Sequence, residues 1–295
     1  MLRKPGHPPQ LVGRGIDPAD ERQLESLLRR HRIALQHRLG QNFLIDQALR
    51  DAIADASGVG PEDEVLEVGA GAGTLTIALA ARGRRVVAVE FDRALIPALR
   101  EVVNRHANVE IVQADILRFD AEAAFPRGEE IVAGNIPYNL TGALIRKLLD
   151  RPPRPRRLSL VVQKEVAERW TATTSASLGT VAVQVFAEPR IVMSIPAESF
   201  TPPPRVDSAL VILEVRPRPA VDVPDVLAFL RFVEGVFQFR RKQVGGTLAR
   251  ISGLEGAQAT GRLQELGIDS ARRPQTLTLP EWERIYGAFN SKPGR

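Results

Sequence analysis

Between residues 64 and 163 the sequence alternates short, almost continuous apolar runs with segments of helical spacing. The runs cover 64–68, 85–90, 109–113, 130–134 and 158–163. Strands apolar on both faces belong to parallel sheets covered by helices on either side. Helical segments are predicted at 74–82, 93–104, 142–150 and from 164 through Trp170. This order predicts an α/β doubly wound, Rossmann-like sheet with its ligand groups at the carboxyl ends of the strands.

The flanks read differently. Residues 1–16 are rich in Pro and Gly and predict a flexible tail. Asp17 is expected to cap a helix with Pro18 at its first position, running towards Arg32, and a second helix is expected at 46–56. The runs TVAVQVF (180–186) and ALVILEV (209–215), set around a proline cluster, predict an antiparallel pair that closes the sheet. After Pro217-Arg218-Pro219 the pattern is wholly helical, with apolar residues at 227, 230, 233 and 237. The expected organisation is therefore a tail (1–16), a Rossmann-like domain (17–217) and a small helical domain (218–295).

Composition narrows the function. The 295 residues are 44% hydrophobic and 25% charged, enough for a sizeable core. No run approaches the roughly 18 apolar residues of a membrane span, and the first thirty residues carry no apolar signal-peptide core, so the expected location is the cytoplasm. The absence of cysteine excludes disulfides, cysteine-ligated zinc, iron–sulfur clusters and a thiolate nucleophile. The four His residues, at 7, 31, 37 and 106, have no ligand spacing, and no metal is expected. No coiled-coil seam is present, so a monomer is expected. Lys and Arg outnumber Asp and Glu by 40 to 35, and all but five of the basic residues are Arg, the better fork for phosphate.

Three motifs sit at strand tips. VLEVGAGAG (65–73) is a glycine-rich turn between a strand and a helix, which lets backbone N–H groups approach a ligand. It suits a dinucleotide or an S-adenosylmethionine-type nucleoside. Thr74 stands where the dinucleotide fingerprint has its last glycine. Glu90, 21 residues after Gly69, suits a ribose diol in either reading. Asp115, at the tip of the third run, can accept from an exocyclic amine or simply cap the next turn. The third motif is Gly134-Asn135-Ile136-Pro137-Tyr138. The lone pair of a nucleobase amine is delocalised into the ring, so it is a poor nucleophile. Two acceptors, the Asn135 side-chain oxygen and the Ile136 carbonyl, would favour a pyramidal nitrogen, while Tyr138 stacks on the base.

With these motifs in place the chain resembles the rRNA adenine N6,N6-dimethyltransferases, and within them the bacterial KsgA-type enzymes of the small subunit. The resemblance spans about 20–290. It is carried by LGQNFLID (39–46), LEVGAGAGTLT (66–76), VVAVEFD (86–92), VQADIL (112–117), GNIPYNLT (134–141), VVQKEVAER (161–169), FTPPPRVDSALV (200–211), FRRK (239–242) and RRPQTLTLPEW (272–282). It implies S-adenosylmethionine as cofactor, held by Asn42, Leu44, Gly69, Gly71, Glu90, Asp115 and Asn135. It also implies a flipped adenine between Tyr138 and Phe200, direct methyl transfer, and immature small-subunit rRNA as partner. GNIPY with Ile is shared with the Erm enzymes of large-subunit rRNA, whereas RRPQTLTLPEW resembles the small-subunit enzymes. An assembly factor acting mainly by binding is a further reading. Two basic clusters, Arg154, Arg156 and Arg157 on a proline-stiffened loop and Arg240, Arg241 and Lys242 after an apolar helix face, are candidate RNA contacts.

Overall fold

The computed structural model describes residues 15–34, 41–137 and 140–290. A seven-stranded sheet forms its centre. In chain order, β2 (Glu64–Val68), β3 (Arg85–Glu90), β4 (Val109–Gln113), β5 (Ile131–Asn135) and β6 (Arg157–Gln163) are parallel; β9 (Ser208–Val215) lies antiparallel between β6 and β7 (Ala187–Ile195). The spatial order is β4-β3-β2-β5-β6-β9-β7. The order reverses between β2 and β5, and at such switch points a crevice opens outside the carboxyl ends of the strands. Helices α2 (Gln47–Ala56), α3 (Thr74–Ala80), α4 (Ile96–Val103), α6 (Thr141–Leu149) and α7 (Lys164–Thr171) follow the predicted periodicity to within a few residues, and a short α5 (Ala121–Ala124) precedes β5.

Two local expectations are corrected. Helix α1 is Glu21–Arg30, and its cap is Asp20, whose side chain accepts the Gln23 N–H, not Asp17. Asp17 is used by a turn of its own, accepting the Ala19 N–H at 2.9 Å and pairing with Arg50 at 2.6 Å. The run 180–186 is not a strand but part of helix α8 (Leu178–Phe186), opened by Ser177, which accepts the Thr180 N–H. Thr180, Val181, Ala182, Val183, Val185 and Phe186 are all buried. A helix surrounded by protein has no polar face to reveal its period, and its valines imitate a strand. The antiparallel pair does close the sheet, but the partner of β9 is β7. Pro189 sits on β7, an edge strand, where a missing N–H breaks no ladder.

Beyond Pro219 the chain is helical: α9 (Val226–Phe237), α10 (Val244–Ser252), α11 (Gly256–Glu265) and α12 (Leu279–Asn290). These helices share one apolar cluster with the sheet and α8. Leu160, Phe186 and Val211 belong to the same core as Phe229, Leu248 and Trp282. The aromatic centre includes an edge-on pair of Phe229 and Tyr286 with ring centroids 5.5 Å apart. A small antiparallel ribbon joins β1 (Phe43–Leu44) to β8 (Phe200–Thr201), bringing together segments more than 150 residues apart. No helix among the described residues is long and apolar enough to cross a membrane.

Candidate cofactor and target-base site

The crevice is built from the tips of β2, β3 and β5, the turn after β4, and the ribbon. Gly69, Gly71 and Gly73 all have positive φ, so the chain turns from β2 into α3 in a conformation that side chains disfavour. A Cβ on Gly71 would stand 3.3 Å from the Phe43 ring, so the glycine cradle and the ribbon touch. Gly134 is required for another reason: any side chain there would collide with the Val68 carbonyl oxygen, where β5 runs beside β2.

Glu90 ends β3 and is buried. Its Oε2 accepts the Gly71 N–H and its Oε1 the Asp92 N–H, each at 2.7 Å. Burial pushes this carboxyl above its ordinary range, and the two N–H donors oppose the shift. Each oxygen keeps a lone pair for a further donor. Asp115, half-buried in the turn after β4, lines the same cavity. Its Oδ1 accepts the Leu117 N–H at 2.9 Å, and its Oδ2 lies 3.9 Å from Arg118 Nε. The capping geometry and the ligand-facing position therefore coexist in one side chain.

Asn135 closes β5, where its backbone pairs with Val161. Its Nδ2 donates to the Asn42 carbonyl at 2.9 Å, which orients the amide and leaves Oδ1 as the acceptor on the other side. The Ile136 side chain is sunk in the core, so its backbone is the part available to the cavity; its N–H is held by the Val161 carbonyl at 3.0 Å. Asn42, Leu44, Gly69, Gly71, Glu90, Asp115, Asn135, Ile136 and Phe200 all line one cavity. Phe200 is buried, and with Leu44, Val161 and Ile195 it forms a wall, not a free-standing platform. Tyr138 lies outside the described residues.

Three lining residues carried no role in the sequence reading. Glu67, in the middle of β2, is 1% exposed; its Oε2 is buried without a partner, and burial pushes its carboxyl up to about 8, which favours its neutral form. An acid inside an apolar strand was the available signal. Phe91, just after Glu90, leaves 59% of its surface exposed at the cavity edge. Gln41 donates to Asp92 Oδ2 at 2.7 Å and ties the start of the ribbon segment to the β3–α4 turn.

The two basic clusters have unlike surroundings. Arg154 donates to the Leu149 carbonyl and lies over the Phe186 ring at 4.3 Å. Arg156 pairs with Asp63 at 2.6 Å, and Arg157 with Glu214 at 2.8 Å. All three flank the start of β6, the end of the parallel sheet opposite the cavity. Arg240, Arg241 and Lys242 are exposed in the turn after α9.

A Rossmann-like sheet in this order, with a glycine cradle, an acid at the end of the second parallel strand and an amide at the tip of β5, defines a methyltransferase that takes a nucleoside cofactor. The sequence profile described as ribosomal RNA adenine dimethylase matches residues 33–289. The chain belongs to that family. It is 42% identical over 287 residues to a ribosomal RNA small subunit methyltransferase A of Pelotomaculum thermopropionicum, covering 92% of this chain and 97% of that one. A namesake from Shouchella clausii is 36% identical over 285 residues, covering 93% and 96%. Among solved structures, the 23S rRNA methyltransferase ErmE superposes with a TM-score of 0.66 at 28% identity, over 85% of this chain and all of that one. A dimethyladenosine transferase from Plasmodium falciparum gives 0.65 at 23% identity, over 82% and 95%, and shares the fold. The protein is thus a methyltransferase that modifies adenine in rRNA, with S-adenosylmethionine as cofactor. The residues fit that cofactor. The open glycine cradle admits a close-lying chain, Glu90 can take a hydroxyl pair, and Glu67 Oε2 and Thr74 Oγ1 are buried polar atoms of the lining without a partner.

Proposed function

We propose that this chain adds two methyl groups to N6 of adenosines in small-subunit rRNA, acting in the cytoplasm, as a monomer and without a metal, on an immature ribosomal particle. The observation that carries the chemistry is the Asn135 amide, fixed by the Asn42 carbonyl at the lip of the cofactor cavity. S-adenosylmethionine supplies, when bound, a methyl group on a sulfonium. The chain's own part is to make the amine reactive. Asn135 Oδ1 and the Ile136 carbonyl accept from the N6–H bonds, localise the nitrogen lone pair and leave it facing the electrophile. The methylated nitrogen then loses its proton to solvent water, since an amide or peptide oxygen accepts a hydrogen bond but is too weakly basic to keep the proton. Tyr138 and the edge of Phe200 hold the extruded base, Glu90 the ribose and Asp115 the cofactor's adenine amine. After the first transfer N6 keeps a single hydrogen, so one of the two acceptors holds it for the second.

The choice of subunit rests on the relatives that carry the small-subunit name and on the C-terminal helices, which we read as the RNA-binding part of the chain, with Arg240, Arg241 and Lys242 holding phosphates. ErmE supports the competing large-subunit reading. The deciding assay offers labelled S-adenosylmethionine with immature small subunits and with naked large-subunit rRNA, and identifies the nucleoside by mass. Dimethyladenosine in the small subunit alone is expected. Label in the large-subunit RNA would reverse the choice, and cofactor binding without transfer would favour an assembly factor. Asn135→Ala should lower kcat by about 100- to 1000-fold, as loss of one aligned polar group at a reacting centre does, with cofactor affinity within a few fold; near-normal turnover would overturn the mechanism.

A further inference from the structure

The loop that carries Phe200 has a second face. Phe200 lines the cavity from its inner side, while Arg205 and Val206, five and six residues on, are exposed, Val206 with 47% of its surface in water. A lone exposed valine is ordinary on a protein surface; its setting here is not. Pro202, Pro203 and Pro204 stiffen the segment before it. The loop is pinned at its base, where Asp207 Oδ1 accepts the Ala197 N–H at 3.2 Å and the Asp207 carbonyl accepts the Lys164 N–H at 3.0 Å. Its tip therefore stands on a fixed base beside the mouth of the cavity.

Lys164 is exposed next to this tip. It follows Gln163, which pairs with Ser208, and Val161 two residues below lines the cavity. At about 3.3 Å per residue, Lys164 lies roughly 10 Å above that wall. Neither Lys164 nor Arg205 makes an ion pair among the described residues, although Arg169 on the same helix as Lys164 pairs with Glu165 at 3.7 Å. Two cations without an ion pair among the described residues thus stand near the apolar Val206, at the end of the sheet where the cavity opens.

We propose that the Arg205–Val206 ridge keeps the RNA open around the target, an inference that rests on the adenine-methylation reading above. When the target base enters the cavity, Val206 packs against the base face left bare in the strand, as apolar wedges do between unstacked steps. Arg205 and Lys164 hold the phosphates on either side. The ridge holds the RNA in register and touches no reacting atom.

The test uses the full-length protein, immature small subunits, and a short RNA hairpin with 2-aminopurine in place of the adenine that the wild type is found to methylate. Val206→Ala should cut the fluorescence rise on binding by at least half and kcat several-fold, while RNA affinity stays within about threefold. Arg205→Ala and Lys164→Ala should each raise the KM for RNA about tenfold and reduce the salt slope of binding by about one. Cofactor binding, measured in parallel, should be unchanged in all three and confirms that each variant is folded. Val206→Ala with wild-type fluorescence and kcat, or both cation variants with wild-type KM and salt slope, overturns the ridge. If the wild type itself transfers no methyl to adenosine, the functional reading fails first and the ridge falls with it.

Discussion

Two arginine-rich stretches that look alike in sequence end in opposite circumstances. RPPRPRR (151–157) meets the carboxylates of Asp63 and Glu214, the Leu149 carbonyl and the Phe186 ring, while FRRK (239–242) presents three cations to solvent. The first joins β6 to its surroundings at the end of the sheet remote from the cavity; the second ends α9. Charge density along a chain therefore says little about what the charge does. What matters is whether the fold brings a carboxylate within reach, because a guanidinium already paired has little left to offer a phosphate.

The contrast can be broken by exchange of effects. Replacing Arg240, Arg241 and Lys242 together by alanine should weaken binding of the rRNA substrate by about 100-fold at moderate salt, and lower the salt slope by two to three units. The melting temperature should stay within about 2 °C. Unchanged RNA binding in that variant would erase the distinction. Arg157→Ala should do the reverse. Losing the bonds to Glu214 and to the Ser57 carbonyl from a half-buried position should cost about 2 kcal/mol in urea denaturation, with KM for RNA unchanged. A raised KM with normal stability would make this arginine an RNA contact after all.

Buried acids sharpen the comparison, since two of them go without any arginine. Glu67 lies under the cavity. Glu130 immediately precedes β5 beside the arginine loop, which donates the Arg156 N–H to its carbonyl. Both have an Oε2 without a partner, and burial pushes them up to about 8 and about 7. A carboxyl raised above its unfolded value of 4.5 binds its proton more tightly in the native state, so stability is lost as pH rises from there towards the folded pKa. Between pH 5 and 7 the wild type should lose about 1 kcal/mol per pH unit for each group. Glu67→Gln and Glu130→Gln should each flatten the curve in that window; an unaltered slope would show that the carboxyls find partners. The smallest effect is expected for Arg156→Ala, whose exposed pair with Asp63 should contribute about 0.5 kcal/mol.

Legibility from sequence followed the reach of the interactions. Strands β2, β3, β5 and β6 were readable because burial on both faces leaves a nearly unbroken apolar run, the edge strand β4 from Val109, Ile111 and Val112 alone, and the glycine turn because only glycine takes its backbone angles without strain. Helix α8 was not, since an element buried all round has no polar stripe to set its period. The cap of α1 moved from Asp17 to Asp20 because two acids three residues apart compete, and the salt bridge from Arg50 to Asp17 lies 33 residues away in the chain. In the site, residue types at strand tips named Glu90, Asp115 and Asn135. Glu67 is marked in the sequence only as an acid inside an apolar strand, and Phe91 and Gln41 not at all, because what distinguishes them is exposure or a partner 51 residues distant.

By itself the sequence determined the layered fold, the glycine turn at the tip of β2 and the polar residues at the strand tips, all of which depend on neighbours along the chain. Only the tertiary structure decided that Asn42 orients Asn135, that the ribbon from 43 to 44 leans on Phe200, and which arginines of the two clusters meet a carboxylate. The first two turn on contacts between segments more than 90 residues apart, and the third on whether the fold brings a carboxylate to each cation.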